Sequence, residues 1–238
     1  MNKKQLVQVY GIPRVVVILL LTTFVFGVPV CFAGQFRAIA AANLPVPNAS
    51  VNEFEILIGN ARDIYEKSKT NHWKHLDKKI NSIIKAEQSI SGIMHDKDMP
   101  YYKNLMGATS DLERAVAAQD RIVSMKSANK IMLLGARLAE TSSAATPINV
   151  AVIGFCGRKL EILAETENVF ELSDTVSKLH LAWQQLIPQV TARGGIKEVK
   201  KFAEIMKRFE VAKTPDEYGK LAAAVVDQVD IIEKIFKK

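Results

Sequence analysis

Two of the four histidines in the sequence are spaced so that they could bind one metal ion. His72 and His75 are three residues apart, and this spacing places both side chains on one face of a helix. Imidazole is a ligand for zinc, copper and nickel. Asp77 is the single carboxylate close by, and two ligands alone make a weak site. The competing interpretation is that both histidines flank the apolar face of a helix.

A second group combines sulfur and imidazole ligands. His95 follows Met94, and Met99 and Met106 come soon after it. Thioether and imidazole groups suit copper, so this group indicates a candidate copper site. Met99 and Met106 also have the spacing of an apolar helix face, where methionine usually fills a hydrophobic core.

Motifs for haem and for the common enzyme classes are absent from the sequence. It contains no Cys-x-x-Cys-His, no His-Glu-x-x-His, no Gly-x-Ser-x-Gly and no glycine-rich phosphate loop. The remaining histidine, His180, precedes Trp183 by three residues, and we expect it to be a partly buried polar residue. We therefore predict a protein that is not an enzyme and has no cofactor.

Two further groups of reactive side chains have structural explanations. Cys156 lies between Gly154 and Gly157, and small residues at this spacing favour close helix packing around a buried thiol. An acidic run from Glu161 to Asp174 is typical of a solvated helix surface.

The N-terminus has the features of a secretory signal sequence. Residues 1–14 carry three basic and no acidic residues, Val15 to Val28 are almost entirely apolar, and Cys31-Phe32-Ala33 resembles a signal-peptidase site. We expect cleavage after Ala33 and a periplasmic or secreted mature protein. The alternative is an uncleaved membrane anchor, since no charge occurs between Val15 and Ala33. Cleavage would leave Cys156 without a second cysteine for a disulfide.

The charge of the chain argues against nucleic acid as a partner. The formal net charge is +7, and removal of the three basic residues in the signal sequence leaves about +4. Acidic residues are interspersed with the basic ones, so no basic face is evident.

The rest of the chain predicts helices from end to end. Few glycines and prolines occur, and apolar residues recur at spacings of three and four. Capping boxes at Ser50–Glu53 and Thr214–Glu217 and the pair Thr146-Pro147 indicate helix starts, whereas Gly194-Gly195 indicates a stop. We predict a break at residues 92–100, and Pro188 should kink or end its helix.

The two halves of the helical region follow a similar plan. In each, a proline precedes the first helix and one tryptophan marks the second: Pro47 and Trp73, then Pro147 and Trp183. We predict an all-α, duplicated antiparallel bundle of about eight helices. Its parts are a signal peptide (1–33), a flexible leader (34–49), a first repeat (50–142) and a second repeat (146–238).

The function that these features favour is binding. We expect an exported, non-enzymatic module of the cell envelope that binds an unknown protein or small-molecule ligand. The alternative is a periplasmic metal- or haem-handling protein that uses His72, His75, His95 or nearby methionines. Membrane contact is expected only if the signal sequence is retained.

Overall fold

The computed structural model of the chain describes residues 49–140 and 146–237. The predicted signal sequence, most of the leader and Pro47 lie outside the described residues. Throughout the described ranges the regular structure is helical and no strand occurs, which confirms the all-α prediction. None of the helices in these ranges has the length and apolar character needed to cross a bilayer.

Eight α-helices and one 3₁₀ turn make up the described residues. The helices are α1 (Ala49–Lys69), α2 (Leu76–Ser91), α3 (Met99–Ala117), α4 (Arg121–Glu140), α5 (Ile148–Glu165), α6 (Val169–Ala192), α7 (Ile196–Val211) and α8 (Pro215–Phe236). The 3₁₀ turn, Asp96–Asp98, lies in the predicted break before α3. We call α1–α4 the first half and α5–α8 the second half.

The break between α3 and α4 is made by local hydrogen bonding. Gln119 has a positive φ of 54°, and the Asp120 carboxylate accepts a hydrogen bond of 3.0 Å from the Val123 amide. An aspartate in this position satisfies a helix N–H that would otherwise lack an acceptor. Gly107 lies inside α3 and does not interrupt that helix.

The start of α8 has the predicted capping box. The Glu217 amide donates to the Thr214 hydroxyl at 3.3 Å, and the Thr214 amide donates to the Glu217 carboxylate at 3.0 Å. Hydrogen bonds from backbone amides, first that of Lys213, hold the pKa of Glu217 below its usual value. These reciprocal bonds fix where the last helix begins.

Each half has its own hydrophobic cluster, and the helices of both halves pack in the same order. The first helix packs against the second and the fourth, and the third packs against its neighbours on either side. Ile162 of α5 belongs to the cluster of the first half, and α4 packs directly against α5. The two halves are therefore joined through the middle of the chain.

Glycines allow the closest helix contacts in both halves. A Cβ on Gly135 of α4 would lie 2.7 Å from Leu57 of α1, and one on Gly157 of α5 would lie 2.9 Å from Val225 of α8. Both distances are shorter than a Cβ tolerates, so a side chain at either position would force the neighbouring residue to move. The prediction of close packing around Gly157 is confirmed.

Two sequence predictions about local structure are wrong. Trp73 lies half-buried in the turn between α1 and α2, not within a helix, whereas Trp183 is buried in α6 and stacks on Phe202. The pair Thr146-Pro147 lies at a helix start, but Pro147, and not the expected Thr146, is the N-cap residue of α5. Of the two alternatives for Pro188, it does not end α6, which continues to Ala192, and a kink there stays a prediction.

Candidate functional site

The first pair of predicted metal ligands does not share a helix face. His72 and His75 lie in the turn between α1 and α2, where both are exposed. His72 Nδ1 is 2.7 Å from the Thr70 hydroxyl, and His75 has a left-handed backbone with φ of 65°. The three-residue spacing misleads because α1 ends at Lys69, before the pair begins.

The group around His95 is also spread over a surface turn. His95 precedes the 3₁₀ turn and is exposed, Met99 is half-buried against the first cluster, and Met106 is exposed. Of the two methionines, Met99 is thus the one that contributes to packing. In the described parts of the chain, no three His, Cys, Asp or Glu residues come together as a metal site. Metal binding by His72, His75 and His95 stays a prediction.

The Cys156 thiol is buried, as predicted. It is 2% exposed, and burial raises its pKa to about 11. Since the thiolate is the reactive form, this cysteine is a poor nucleophile at neutral pH. His180, expected to be partly buried, is instead exposed on α6, with its Nε2 atom 2.7 Å from the Gln184 amide nitrogen.

The acidic run contains one residue that is not on a solvated surface. The Glu161 side chain is only 9% exposed, accepts a hydrogen bond of 2.7 Å from the Tyr65 hydroxyl and pairs with Lys69 at 2.8 Å. Burial and the neighbouring Glu161 charge raise the pKa of Tyr65. Glu161 therefore joins α5 to α1, a tertiary role that sequence spacing does not show.

The candidate site is a cleft between the two halves, which we call the inter-half cleft. It encloses about 490 Å³ between α1, α4, α5 and α8. Its larger apolar side chains are Ile58 on α1, Met132 and Leu133 on α4, Phe155 on α5 and Val229 on α8. Both the volume and the mostly apolar wall are typical of small-molecule sites.

Small residues keep this cleft open. Gly59, Ala136, Ala151 and Gly154 are part of its lining. A Cβ on Gly59 would meet no atom within 4 Å, so the space beside it is empty. A Cβ on Gly154 would lie 3.1 Å from Nη1 of Arg158, which places that guanidinium directly over the glycine.

One of the two arginines in the cleft is neutralised by α8. Arg62 on α1 pairs with Glu233 at 2.9 Å and with Asp230 at 3.4 Å. Burial acts to lower the pKa of Arg62, but the two carboxylates outweigh it, so the net pKa is raised. These ion pairs connect the first helix of one half to the last helix of the other.

Arg158 on α5 is the other arginine, and its charge has no such partner. The residue is 4% exposed, and its guanidinium makes no hydrogen bond or ion pair with any residue in the described ranges. Its one notable contact is with the Tyr65 ring, whose centroid lies 5.8 Å from the guanidinium carbon. Burial, and then the nearby charge of Arg62, lower its pKa. Arginine nevertheless stays protonated in proteins, so a positive charge lines the cleft.

Asn129 on α4 presents a second incompletely bonded polar group. Its amide nitrogen donates to the Phe155 carbonyl at 2.9 Å, while its buried Oδ1 atom has no partner. A carbonyl can only accept, so the nitrogen must face Phe155 and the oxygen is the atom left over. The cleft wall therefore includes one cationic donor and, just beneath its surface, one neutral acceptor without a partner, alongside the charged side chains of Glu55, Asp63 and Lys237.

A second cavity lies near the start of α8, and its lining includes no arginine. It is about 540 Å³ in volume and is lined by charged residues including Lys69, Glu161, Glu165 and Lys220. These four side chains are all paired: Lys69 with Glu161, Glu165 with Arg121 and Lys220 with Asp216. Each of these four charges therefore already has a partner within the fold.

Sequence reasoning did not identify Arg158 or Asn129 as site residues, although a signal is present. Asn129 lies four residues after Met125 and three before Met132, so it interrupts an apolar helix face. Arg158 is the first charged residue after the uncharged stretch from Thr146 to Gly157. Polar residues at core positions are the ones whose partners need to be sought.

No protein-family model, no characterised protein sequence and no solved structure matches this chain.

Proposed function

We propose that this chain is an exported, non-enzymatic helical protein of the cell envelope, periplasmic or secreted, that binds a small molecule in the inter-half cleft. The observation that carries this proposal is Arg158, a buried charge without a partner on the wall of a cavity of about 490 Å³. Leaving a buried charge unpaired costs folding free energy. A bound ligand that pairs with it would recover that cost.

The character of the lining favours binding over catalysis. No histidine or cysteine is among the residues that line the cleft in the described part of the chain. Of the carboxylates in the wall, Glu233 is engaged by Arg62 and Asp63 by Lys79, whereas Glu55 is exposed. The enclosed volume favours a small molecule over a protein segment as the occupant.

We also propose that the two halves are a duplication and that the ligand site formed where the two copies meet. The shared packing order of the helices in the two halves supports this. The tryptophans do not support it, because Trp73 and Trp183 occupy different kinds of structure.

The test uses the full chain produced in its native host and recovered from the envelope fraction. Mass spectrometry under denaturing conditions should give a chain that starts near Gly34. Native mass spectrometry should show a small-molecule adduct. A mass that includes the N-terminal segment would contradict cleavage, and stoichiometric copper, iron or zinc would instead support the metal-handling alternative.

A matched pair of variants locates the adduct. Gly59→Leu fills the open space in the cleft, whereas Gly107→Leu makes the same change at a helical glycine with equally open surroundings but outside the cleft lining. Both changes improve helix propensity by a similar amount. The adduct should be lost only in Gly59→Leu. Equal adducts in both variants, or none in any protein, would contradict binding in the cleft.

A further inference from the structure

We propose that the ligand of the inter-half cleft is a hydroxy carboxylic acid with an aliphatic body, whose carboxylate binds Arg158 and whose hydroxyl donates to Asn129 Oδ1. This inference rests on the proposed function, which requires only that the cleft hold some small molecule. It adds the chemical class and the two residues that recognise it.

The charge balance of the cleft assigns an anionic head group to Arg158. Arg62 already has two carboxylate partners on α8, whereas Arg158 has none among the residues that the structure describes. A guanidinium presents paired N–H donors that match the two oxygens of a carboxylate. One carboxylate therefore satisfies the group that the fold leaves unpaired.

The two recognition groups contact adjacent residues of α5. Nη1 of Arg158 lies over Gly154, and the Asn129 amide is bonded to the carbonyl of the next residue, Phe155. A ligand carboxylate at Arg158 consequently has its neighbouring carbons near Asn129. The ligand hydroxyl that donates to Asn129 Oδ1 must therefore lie close to the ligand carboxylate, as it does in a 2-hydroxy acid.

A hydroxyl suits this position better than an ammonium group. Both arginines carry positive charge, and a third cation beside them would be repelled. Arg62 holds Asp230 and Glu233, and Lys79 holds Asp63, so Glu55, which is exposed, is the one carboxylate of the cleft lining without an ion pair in the described ranges. A neutral donor satisfies Asn129 without that repulsion.

The walls of the cleft select the remainder of the molecule. Ile58, Met132, Leu133 and Val229 present aliphatic surface, and burying alkyl groups against such surface is favourable. Each added methylene that stays inside the cleft should tighten binding by roughly three- to fourfold. A straight alkyl chain beyond the hydroxyl-bearing carbon fits this surface.

The test is isothermal titration of the purified mature protein, freed of bound ligand, with three matched probes. These are 2-hydroxyoctanoate, octanoate, which lacks the hydroxyl, and 2-hydroxyoctanamide, which lacks the charge. We expect 2-hydroxyoctanoate to bind most tightly. Octanoate should bind about threefold to tenfold more weakly and the amide more than about tenfold more weakly.

Three variants assign the contacts. Arg158→Met should bind 2-hydroxyoctanoate no more tightly than 2-hydroxyoctanamide. Arg158→Lys should restore part of the preference for the acid, because it returns the positive charge without the paired N–H donors. Asn129→Leu should bind 2-hydroxyoctanoate and octanoate equally. Circular dichroism melts of each variant show whether the fold is intact, and the Lys variant tests the charge even if the Met variant unfolds.

Several results would overturn the inference. The carboxylate assignment is wrong if 2-hydroxyoctanamide binds as tightly as 2-hydroxyoctanoate. It is also wrong if Arg158→Met binds 2-hydroxyoctanoate as tightly as the wild-type protein does. Equal affinity of the wild-type protein for 2-hydroxyoctanoate and octanoate removes the role of Asn129. If none of the probes binds while the native adduct still disappears in Gly59→Leu, the ligand class is wrong and the proposed function stands.

Discussion

Glu87 and Arg158 are two of the buried ionisable side chains that form no ion pair with a described residue, and they lie in different regions of the molecule. Glu87 of α2 is 9% exposed within the first half, and its Oε2 atom has no hydrogen-bond partner. Arg158 of α5 is 4% exposed and lines the inter-half cleft. Burial of the charged form is unfavourable for both residues, but only one of them can reduce this free-energy cost by changing its protonation.

The difference between them is the ability to become neutral. Burial raises the pKa of the Glu87 carboxyl, so this group can lower its own cost by holding a proton. Arginine has no such route, because its guanidinium stays protonated. An unpaired buried glutamate can thus be part of an ordinary core. An unpaired buried arginine on the wall of a cleft is the observation on which the proposal of an anionic ligand rests.

The largest expected effect comes from supplying that anion. A saturating concentration of 2-hydroxyoctanoate, about 100 times its Kd, should stabilise the wild-type protein by about 2.7 kcal/mol. The measurement is urea unfolding with and without the compound. Arg158→Met should show much less stabilisation, and an equal gain in both proteins would break the link between the charge and the ligand.

Removing the charge should stabilise the empty protein. Arg158→Met replaces a buried, unpaired cation with an apolar side chain of similar length, and we expect a gain of about 2 kcal/mol in the free energy of unfolding. Urea titration at pH 5 and pH 8 should give the same gain, because arginine does not titrate in this range. A loss of stability would mean that Arg158 has a stabilising role within the fold.

The paired arginine should behave in the opposite way. Arg62→Met leaves Glu233, whose side chain is only 17% exposed, without its cation. The expected cost is about 1.5 kcal/mol, between the values for exposed and buried ion pairs. The same urea titration checks this result. If Arg62→Met and Arg158→Met shift stability in the same direction, the contrast between a paired and an unpaired arginine fails.

Glu87 should give the smallest and the most pH-dependent effect. Because its pKa is raised by folding, the unfolded chain releases this proton first, and stability falls as the pH rises from about 4.3 through the folded pKa. Glu87→Gln has no proton to release and should be more stable by about 1 kcal/mol at pH 8. Below about pH 4 the gain should vanish. Urea unfolding of the wild-type protein and of Glu87→Gln at both pH values measures this difference in stability. A gain that is the same at both values would mean that it does not come from the proton on Glu87.

Elements controlled by local signals could be predicted from the sequence. The Thr214–Glu217 capping box, the stop at Gly194 and the buried face of α8 depend on neighbouring residues and on a helical repeat. The region around Trp73 was predicted wrongly, because its apolar spacing matches a helix although α1 and α2 are separated by a turn there. Periodicity alone does not reveal such a turn.

The cleft could not be predicted because its parts are far apart in the chain. Arg62 and Glu233 meet only when α1 packs beside α8, and Asn129 reaches Phe155 only across the α4–α5 contact. The sequence shows the chemical type of each side chain, and by type the histidines were better site candidates than Arg158. It does not show which side chains are buried or which of them lack a partner.

The glycines of α5 have a consequence for the order in which the second half folds. Gly154 and Gly157 each lower the intrinsic helix propensity of α5 by roughly 1 kcal/mol relative to alanine, so this helix depends on packing for its stability. The helix that it packs against most extensively, α8, begins only at Pro215, after α6 and α7. When the chain emerges N-terminus first, the first half can pack before the second, and α5 gains its main packing partner only when the last helix arrives.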